Sequence, residues 1–392
     1  MDVVILFVLI LLMNRSLFGS LARKHPYLST KLLNRLFLYH LFFLVVYTTY
    51  SYFNRSDSYE YYRKAFEIGS NWDVITTTGT HFVDNFSALF VLFGLSFYSM
   101  MLLFAWFGYI GFVYAYLFMR ENIPIDVQVF GKVDLLTLLL FLPNMHFWTV
   151  SLGKGALIFM GLMMFAYSVK KPHVRLLTLI IGAFFIYKIR PPVIFFVLVG
   201  VMIGLLTGRE KISKGIRVLI VFAAALFLYF ASSTILQYAN LQNSENLVED
   251  FQKNSSVASE RLENSSGSGV DMNNYSLPLK LFTFWFRPLF VDSPGILGLF
   301  SSAENLIYLL LFLKTFNMRF VRFLRKSPYM VKMAAVTFLL TSFALTFVMA
   351  NLGIIMRQKS MVMYFGFFVI YYFLANEKWQ KMQKDKPVSI AT

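Results

Sequence analysis

The chain of 392 residues is 58% hydrophobic and 14% charged, against about 25% charged residues in a soluble domain, which excludes an ordinary water-soluble enzyme. It has no cysteine, so disulfides and thiolate metal sites are excluded, and its five histidines show no HxxxH or HExxH spacing, so no metal is expected. The formal charge of +16 falls mainly in short loops between apolar runs, which is the pattern of anionic-lipid attraction, so no nucleic-acid partner is expected.

A spanning helix needs about 20 apolar residues. The first run, Val3 to Phe18, reads as a retained span: Asp2 leads it and no cation precedes Arg15, unlike a cleaved signal peptide. With that run at 2–18, further spans are expected at 34–53, 86–118, 134–150, 154–169, 175–189, 191–208, 217–237, 303–317, 332–350 and 360–376. The 86–118 run is too long for one upright helix and reads as a tilted span with an interfacial lead-in. The expected fold is an all-α polytopic transmembrane bundle of about eleven spans in one integral membrane domain, 1–392.

Cations then assign sides. Clusters at Arg15 to Arg35, Lys170 to Arg175, Arg209 to Arg217 and Lys314 to Lys332, with the tail 377–392, all fall on one side if the spans alternate. This puts the N-terminus outside and the C-terminus in the cytoplasm. The opposite loops differ. Residues 54–85, the first outer loop, mix both signs, and 238–279 is rich in Ser and Asn with an acidic excess. Leu247 to Leu262 suits a short amphipathic helix, and three glycosylation patterns at Asn254, Asn264 and Asn274 are chance matches in so Asn-rich a loop. Segment 280–302, aromatic and broken at Arg287-Pro288, suits an interfacial or re-entrant piece.

Five constellations carry candidate chemistry, in chain order. Asp57-Ser58-Tyr59-Glu60-Tyr61-Tyr62 follows the second span; its carboxylates can accept a proton from a sugar hydroxyl and Tyr61 and Tyr62 can stack on sugar rings, although an interfacial aromatic belt gives the same pattern. Pro143-Asn144-Met145-His146-Phe147-Trp148 leads through Gly153 to Lys154 and Gly155. Pro143 breaks a helix, the glycines let backbone approach a ligand, and Lys154 begins the next helix, where anions are favoured. This is no P-loop, since the upstream glycine and the hydroxyl residue after Lys154 are missing. Lys188-Ile189-Arg190-Pro191-Pro192 places two cations in an outer turn, against the bias that the other loops obey. Phe286-Arg287-Pro288 sets an arginine fork among aromatics. Asn351-Leu352-Gly353 precedes Arg357-Gln358-Lys359 at a span junction. Cations at membrane depth are costly and mark functional sites, so Lys154, Arg190, Arg287 and Arg357, all on the outer side, ask for an anionic ligand such as a lipid-linked diphosphate.

Together these motifs resemble the bacterial Wzy-type polymerases of O-antigen and exopolysaccharide repeat units, over about Asp57 to Lys359. The chain departs from that pattern at Gly155, where an acidic residue often follows the Gly-Lys, and at Pro192, where a His follows the Arg-Pro. The resemblance implies a glycosyltransferase in the inner membrane, active face outward. It joins undecaprenyl-diphosphate-linked oligosaccharides without cofactor or metal, with a flippase and a chain-length regulator as further partners besides membrane lipids. Lys154, Arg190, Arg287 and Arg357 would bind diphosphate, and Asp57, His146 or Glu304 would act as base. Tyr61, Tyr62, Trp148, Lys188, Asn351 and Lys359 would make secondary sugar or lipid contacts. Three other readings stay open: a GT-C-type transferase using a polyprenyl-phosphate sugar, with Asp57 or Glu60 as base, a transporter or flippase for a lipid-linked oligosaccharide, and a structural subunit of an envelope assembly. The absence of any Asp-x-Asp pair argues against a metal-bound nucleotide sugar.

Overall fold

The structure, a computed structural model, describes residues 2–54, 56–210, 213–238, 241, 244, 246, 275–293, 295–348 and 352–385. The described residues are overwhelmingly α-helical, with one short antiparallel ribbon of β1 (Gln128–Val129) and β2 (Val133–Asp134). The helices are α1 (Asp2–Lys24), α2 (Thr30–Phe53), α3 (Asp57–Ile68), α4 (Gly79–Leu92), α5 (Phe97–Asn122), α6 (Leu135–Leu140), α7 (Pro143–Phe147), α8 (Lys154–Val169) and α9 (Leu176–Ile189). They continue as α10 (Pro191–Thr207), α11 (Lys214–Tyr238), α12 (Leu277–Phe286), α13 (Gly295–Leu313), α14 (Met318–Arg325), α15 (Tyr329–Val348), α16 (Leu352–Gln358) and α17 (Met363–Lys384).

Among the described residues, five helices are long and apolar enough to cross a membrane: α1, α2, α5, α15 and the 217–234 part of α11. A sixth crossing arises if α13 and α14, bent by 77° at their junction, count as one span. The long apolar helices fit a multi-pass membrane protein. Helices α8, α9 and α10 have 16, 14 and 17 residues, about 21–26 Å at 1.5 Å per residue, short of a hydrocarbon core of about 30 Å. Helix α8 packs between α5 and α9. Nearly all of its side chains are buried, so protein rather than lipid covers a helix that is apolar all round. Helix α10 lies against α15 through a small-residue face. A methyl group at Gly200 would meet Thr337 Oγ1 at 2.3 Å and one at Gly204 would meet the Tyr329 carbonyl at 2.6 Å.

Three expected spans take a different course. The 86–118 run is two helices, broken between Leu92 and Phe97, where Gly94 takes φ 81 and the Ser96 hydroxyl caps α5. The 134–150 run is the pair α6 and α7, because Pro143 cannot continue a helix and instead begins the next one at its first turn. The 303–317 run begins earlier, at Gly295, so the 280–302 segment divides into α12, a 3-10 turn at Phe290–Asp292 and the first turns of α13. The tail expected at 377–392 is helical as far as Lys384. The amphipathic stretch at 247–262 and the glycosylation patterns at Asn254, Asn264 and Asn274 lie outside the described residues, as does Asn351.

Candidate functional site

A cavity of ≈ 340 Å³ opens where several helix ends meet. Its wall includes Asp57 and Tyr61 of α3, Thr80 and Asp84 of α4, Trp148, Lys154 at the start of α8, Arg190 at the α9–α10 turn, and Arg357 of α16. Three of the four cations expected to bind an anion are therefore brought together, although up to 203 residues separate them in sequence.

Local chemistry fixes each wall. The Ser56 hydroxyl caps α3, and Ser58 donates to the Leu152 carbonyl at 2.9 Å, joining α3 to the turn before Lys154. Gly155 is required by that turn: a Cβ there would stand 2.2 Å from the Trp148 carbonyl. Lys154 donates to Thr80 Oγ1 at 2.6 Å. Arg357 Nη1 donates to Asp57 Oδ2 at 2.6 Å. Beneath the cavity, Asn144 ties three segments: its Nδ2 donates to the Met356 carbonyl at 3.1 Å, its Oδ1 accepts from Trp148 Nε1 at 3.0 Å, and its N–H donates to Glu304 Oε2 at 2.6 Å.

Asp84 was not flagged by sequence. It is 2% exposed, and its Oδ1 has no hydrogen-bond partner among the described residues. Burial pushes its carboxyl above the ordinary range despite the nearby Lys64 and Lys154 cations. The signal in the sequence is the Thr80-Asp84 spacing, two polar residues four apart on one face of a helix that runs on into the apolar stretch from residue 86.

Other expected site residues stand elsewhere. Arg287 pairs with Asp292 and reaches Tyr275 Oη at 3.4 Å, outside the cavity wall. Lys359 is fully buried and donates to the Arg287 carbonyl at 2.9 Å and to Asn305 Oδ1 at 2.5 Å, so it touches protein rather than a sugar or lipid. Lys188 is buried and donates to the Ile75 and Thr77 carbonyls, pinning the turn before α4. Tyr62 donates to the Leu95 carbonyl at 3.3 Å, away from the cavity. Glu304 is buried and receives a second hydrogen bond, from the Tyr308 hydroxyl. His146 is fully buried, stacked on Phe112 with centroids 3.9 Å apart. Its nitrogens meet His40 Nδ1 at 2.7 Å and the Leu140 carbonyl at 2.8 Å. Neither Glu304 nor His146 lines the cavity. Among the described residues, no three His, Asp or Glu side chains gather in metal-binding range.

A second and larger cavity, ≈ 650 Å³, lies at the opposite end of the bundle, because α10 and α17 each run from near one cavity to the other. Phe112, Phe159 and Tyr364 pack between these ends, with Phe159 centroids 4.7 Å and 5.1 Å from the other two rings. No family model, curated protein or solved structure matches the chain.

Proposed function

We propose that this protein polymerises lipid-linked oligosaccharide repeat units at the outer face of a bacterial inner membrane, moving a glycan from undecaprenyl diphosphate to an acceptor repeat unit. The meeting of Lys154, Arg190 and Arg357 with Asp57 and Asp84 around one cavity carries this reading. An apolar bundle that gathers four cations at a helix junction, Lys64 of α3 being the fourth beside Glu60, is arranged to hold a polyanion there.

In this reading the cavity end faces outward, and the chain crosses the membrane about eleven times when the short, protein-covered helices are counted. The clusters at Arg23, Arg209 and Arg322 then face the cytoplasm. The donor diphosphate competes with Asp57 for Arg357 and lies toward Lys154 and Arg190. The acceptor hydroxyl gives its proton to the Asp84 carboxylate while its oxygen bonds to the anomeric carbon. The bond from that carbon to the diphosphate oxygen breaks, and its electron pair leaves with the lipid diphosphate. Preorganised cations stabilise that departing charge without reorganising. Tyr61 and Trp148 line the cavity and would make the sugar contacts. The step needs no nucleotide sugar and no cofactor.

Transport is favoured less, since Phe112, Phe159 and Tyr364 are fully buried and pack ring to ring in the interior between the two ends. A transferase using a polyprenyl-phosphate monosaccharide would add one sugar rather than build multiples. The test uses purified protein in lipid with a synthetic undecaprenyl-diphosphate repeat unit, chelator present and nucleotide sugar absent. A gel ladder of multiples is expected. Folded protein giving no ladder with the host's own repeat unit overturns the reading.

A further inference from the structure

The larger cavity is built differently from the first. Its cations are Arg209, which follows α10, Arg319 and Arg322 of α14, and Lys326. Among the described residues, Glu377 is the one carboxylate in its wall, and Arg319 already meets it at 3.3 Å. Four cations facing one engaged carboxylate leave a strong positive excess inside a concave site.

The helix that supplies two of these arginines has the form of an interfacial helix. Met318-Arg319-Phe320-Val321-Arg322-Phe323-Leu324-Arg325 repeats arginine every third residue on one face. Phe320 and Phe323 pack on Phe373 of α17 at centroid distances of 5.2 Å and 5.4 Å. Asn317 caps the helix by accepting from the Phe320 N–H at 3.0 Å. The axis bends 77° from α13, so α14 lies across the direction of a spanning helix. Beside it Phe316 and Met318 are 77% and 67% exposed, and Trp379 adds an exposed ring to the cavity rim. Basic residues lining a cavity, with exposed apolar residues beside it, match a headgroup with its acyl chains.

We infer that this cavity binds the phosphate headgroup of an anionic glycerophospholipid, with Arg209, Arg322 and Lys326 holding the phosphate and Phe316 and Met318 meeting the chains. This site is independent of the polymerase reading.

The test compares full-length protein in nanodiscs of phosphatidylcholine alone with nanodiscs containing one-fifth phosphatidylglycerol, followed by native mass spectrometry of the retained lipid. One phosphatidylglycerol retained per protein in preference to phosphatidylcholine is expected. The Arg209→Gln/Arg322→Gln variant is expected to bind it about thirtyfold more weakly, from two cations near an anionic surface. Arg322→Lys, which keeps the charge, is expected to retain most of the binding. Arg23→Gln/Lys24→Gln, which removes two cations from the end of α1, is the control for general surface charge. An equal loss in that control, equal retention of both lipids, or full displacement by millimolar inorganic phosphate would each overturn the assignment. The first two would mean no dedicated site, and the third a site for free phosphate rather than lipid.

Discussion

Arg357→Gln separates holding the fold from holding a ligand. Arg357 and its partner Asp57 are 40% and 65% exposed at the side chain, and ion pairs so exposed contribute about 0.2–1 kcal/mol. The variant is therefore expected at normal membrane abundance, with a melting temperature within a few degrees of wild type. A preorganised group facing charge that develops in the transition state is worth more: removing one such donor slows turnover about 100- to 1,000-fold, or roughly 3–4 kcal/mol. The functional effect exceeds the folding effect several-fold, so the two are distinguishable in one preparation. The assay reads ladder formation in proteoliposomes together with thermal unfolding. The exchange Asp57→Arg/Arg357→Asp adds a sharper arm, since it rebuilds the pair with the cation displaced. Wild-type stability without a ladder is expected. A ladder from the exchanged protein, or an undiminished ladder from Arg357→Gln, would refute diphosphate binding by Arg357.

Asp84→Asn is expected to stop chain growth while the protein still retains the lipid diphosphate, checked by binding of labelled undecaprenyl diphosphate. Because burial raises the Asp84 carboxyl above its ordinary 3.8, and a base works only when deprotonated, wild-type activity should rise with pH over a range where an exposed carboxylate is already ionised. An acid limb at ordinary carboxylate pH would count against Asp84. Glu304→Gln is expected to keep the ladder, since the amide oxygen can still accept from the Asn144 N–H. Glu304→Ala should cost about 2–4 kcal/mol by orphaning that buried N–H and the Tyr308 hydroxyl; loss of activity in Glu304→Gln at normal stability would make Glu304 a reacting group after all. Gly155→Ala should lower folded yield, as its Cβ would stand 2.2 Å from the Trp148 carbonyl; normal yield and activity would show that the turn can open.

The helical class and the long apolar helices that fit a multi-pass membrane protein are legible in the sequence, as long apolar runs punctuated by basic loops. Crossings are less legible. Apolar length alone does not distinguish a lipid-covered span from one covered by protein, and α8 is hydrophobic because α5 and α9 enclose it. Of the expected site, Asp57, Tyr61, Trp148, Lys154, Arg190 and Arg357 share one cavity. Arg287 does not, and its partner Asp292 stood only five residues away in the chain. Asp84 is not legible as a site residue because α4 straddles the boundary between the polar loop and the apolar run at 86–118, so hydropathy alone does not reveal a helix with its own polar face there.

Glu304, Lys188 and Lys359 share one property. An apolar bundle tolerates irregular backbone only where something satisfies the freed N–H and C=O groups. The cavity exists because helices end around it, and each ending creates such groups nearby. Glu304 takes the Asn144 N–H, Lys188 takes the Ile75 and Thr77 carbonyls, and Lys359 takes the Arg287 carbonyl. A polar residue inside an apolar run thus answers one of two needs: it completes the backbone of a break, or it faces the space the break opens. Both kinds cluster at the same junction, so position in the sequence does not separate them. Partners do: Glu304, Lys188 and Lys359 spend their hydrogen bonds on main chain and neighbouring side chains, whereas Lys154 meets a threonine hydroxyl and Arg357 a carboxylate, both on the cavity wall. A diphosphate can displace a hydroxyl or a carboxylate from a cation, but it cannot displace a backbone carbonyl without undoing the helix end that formed the site.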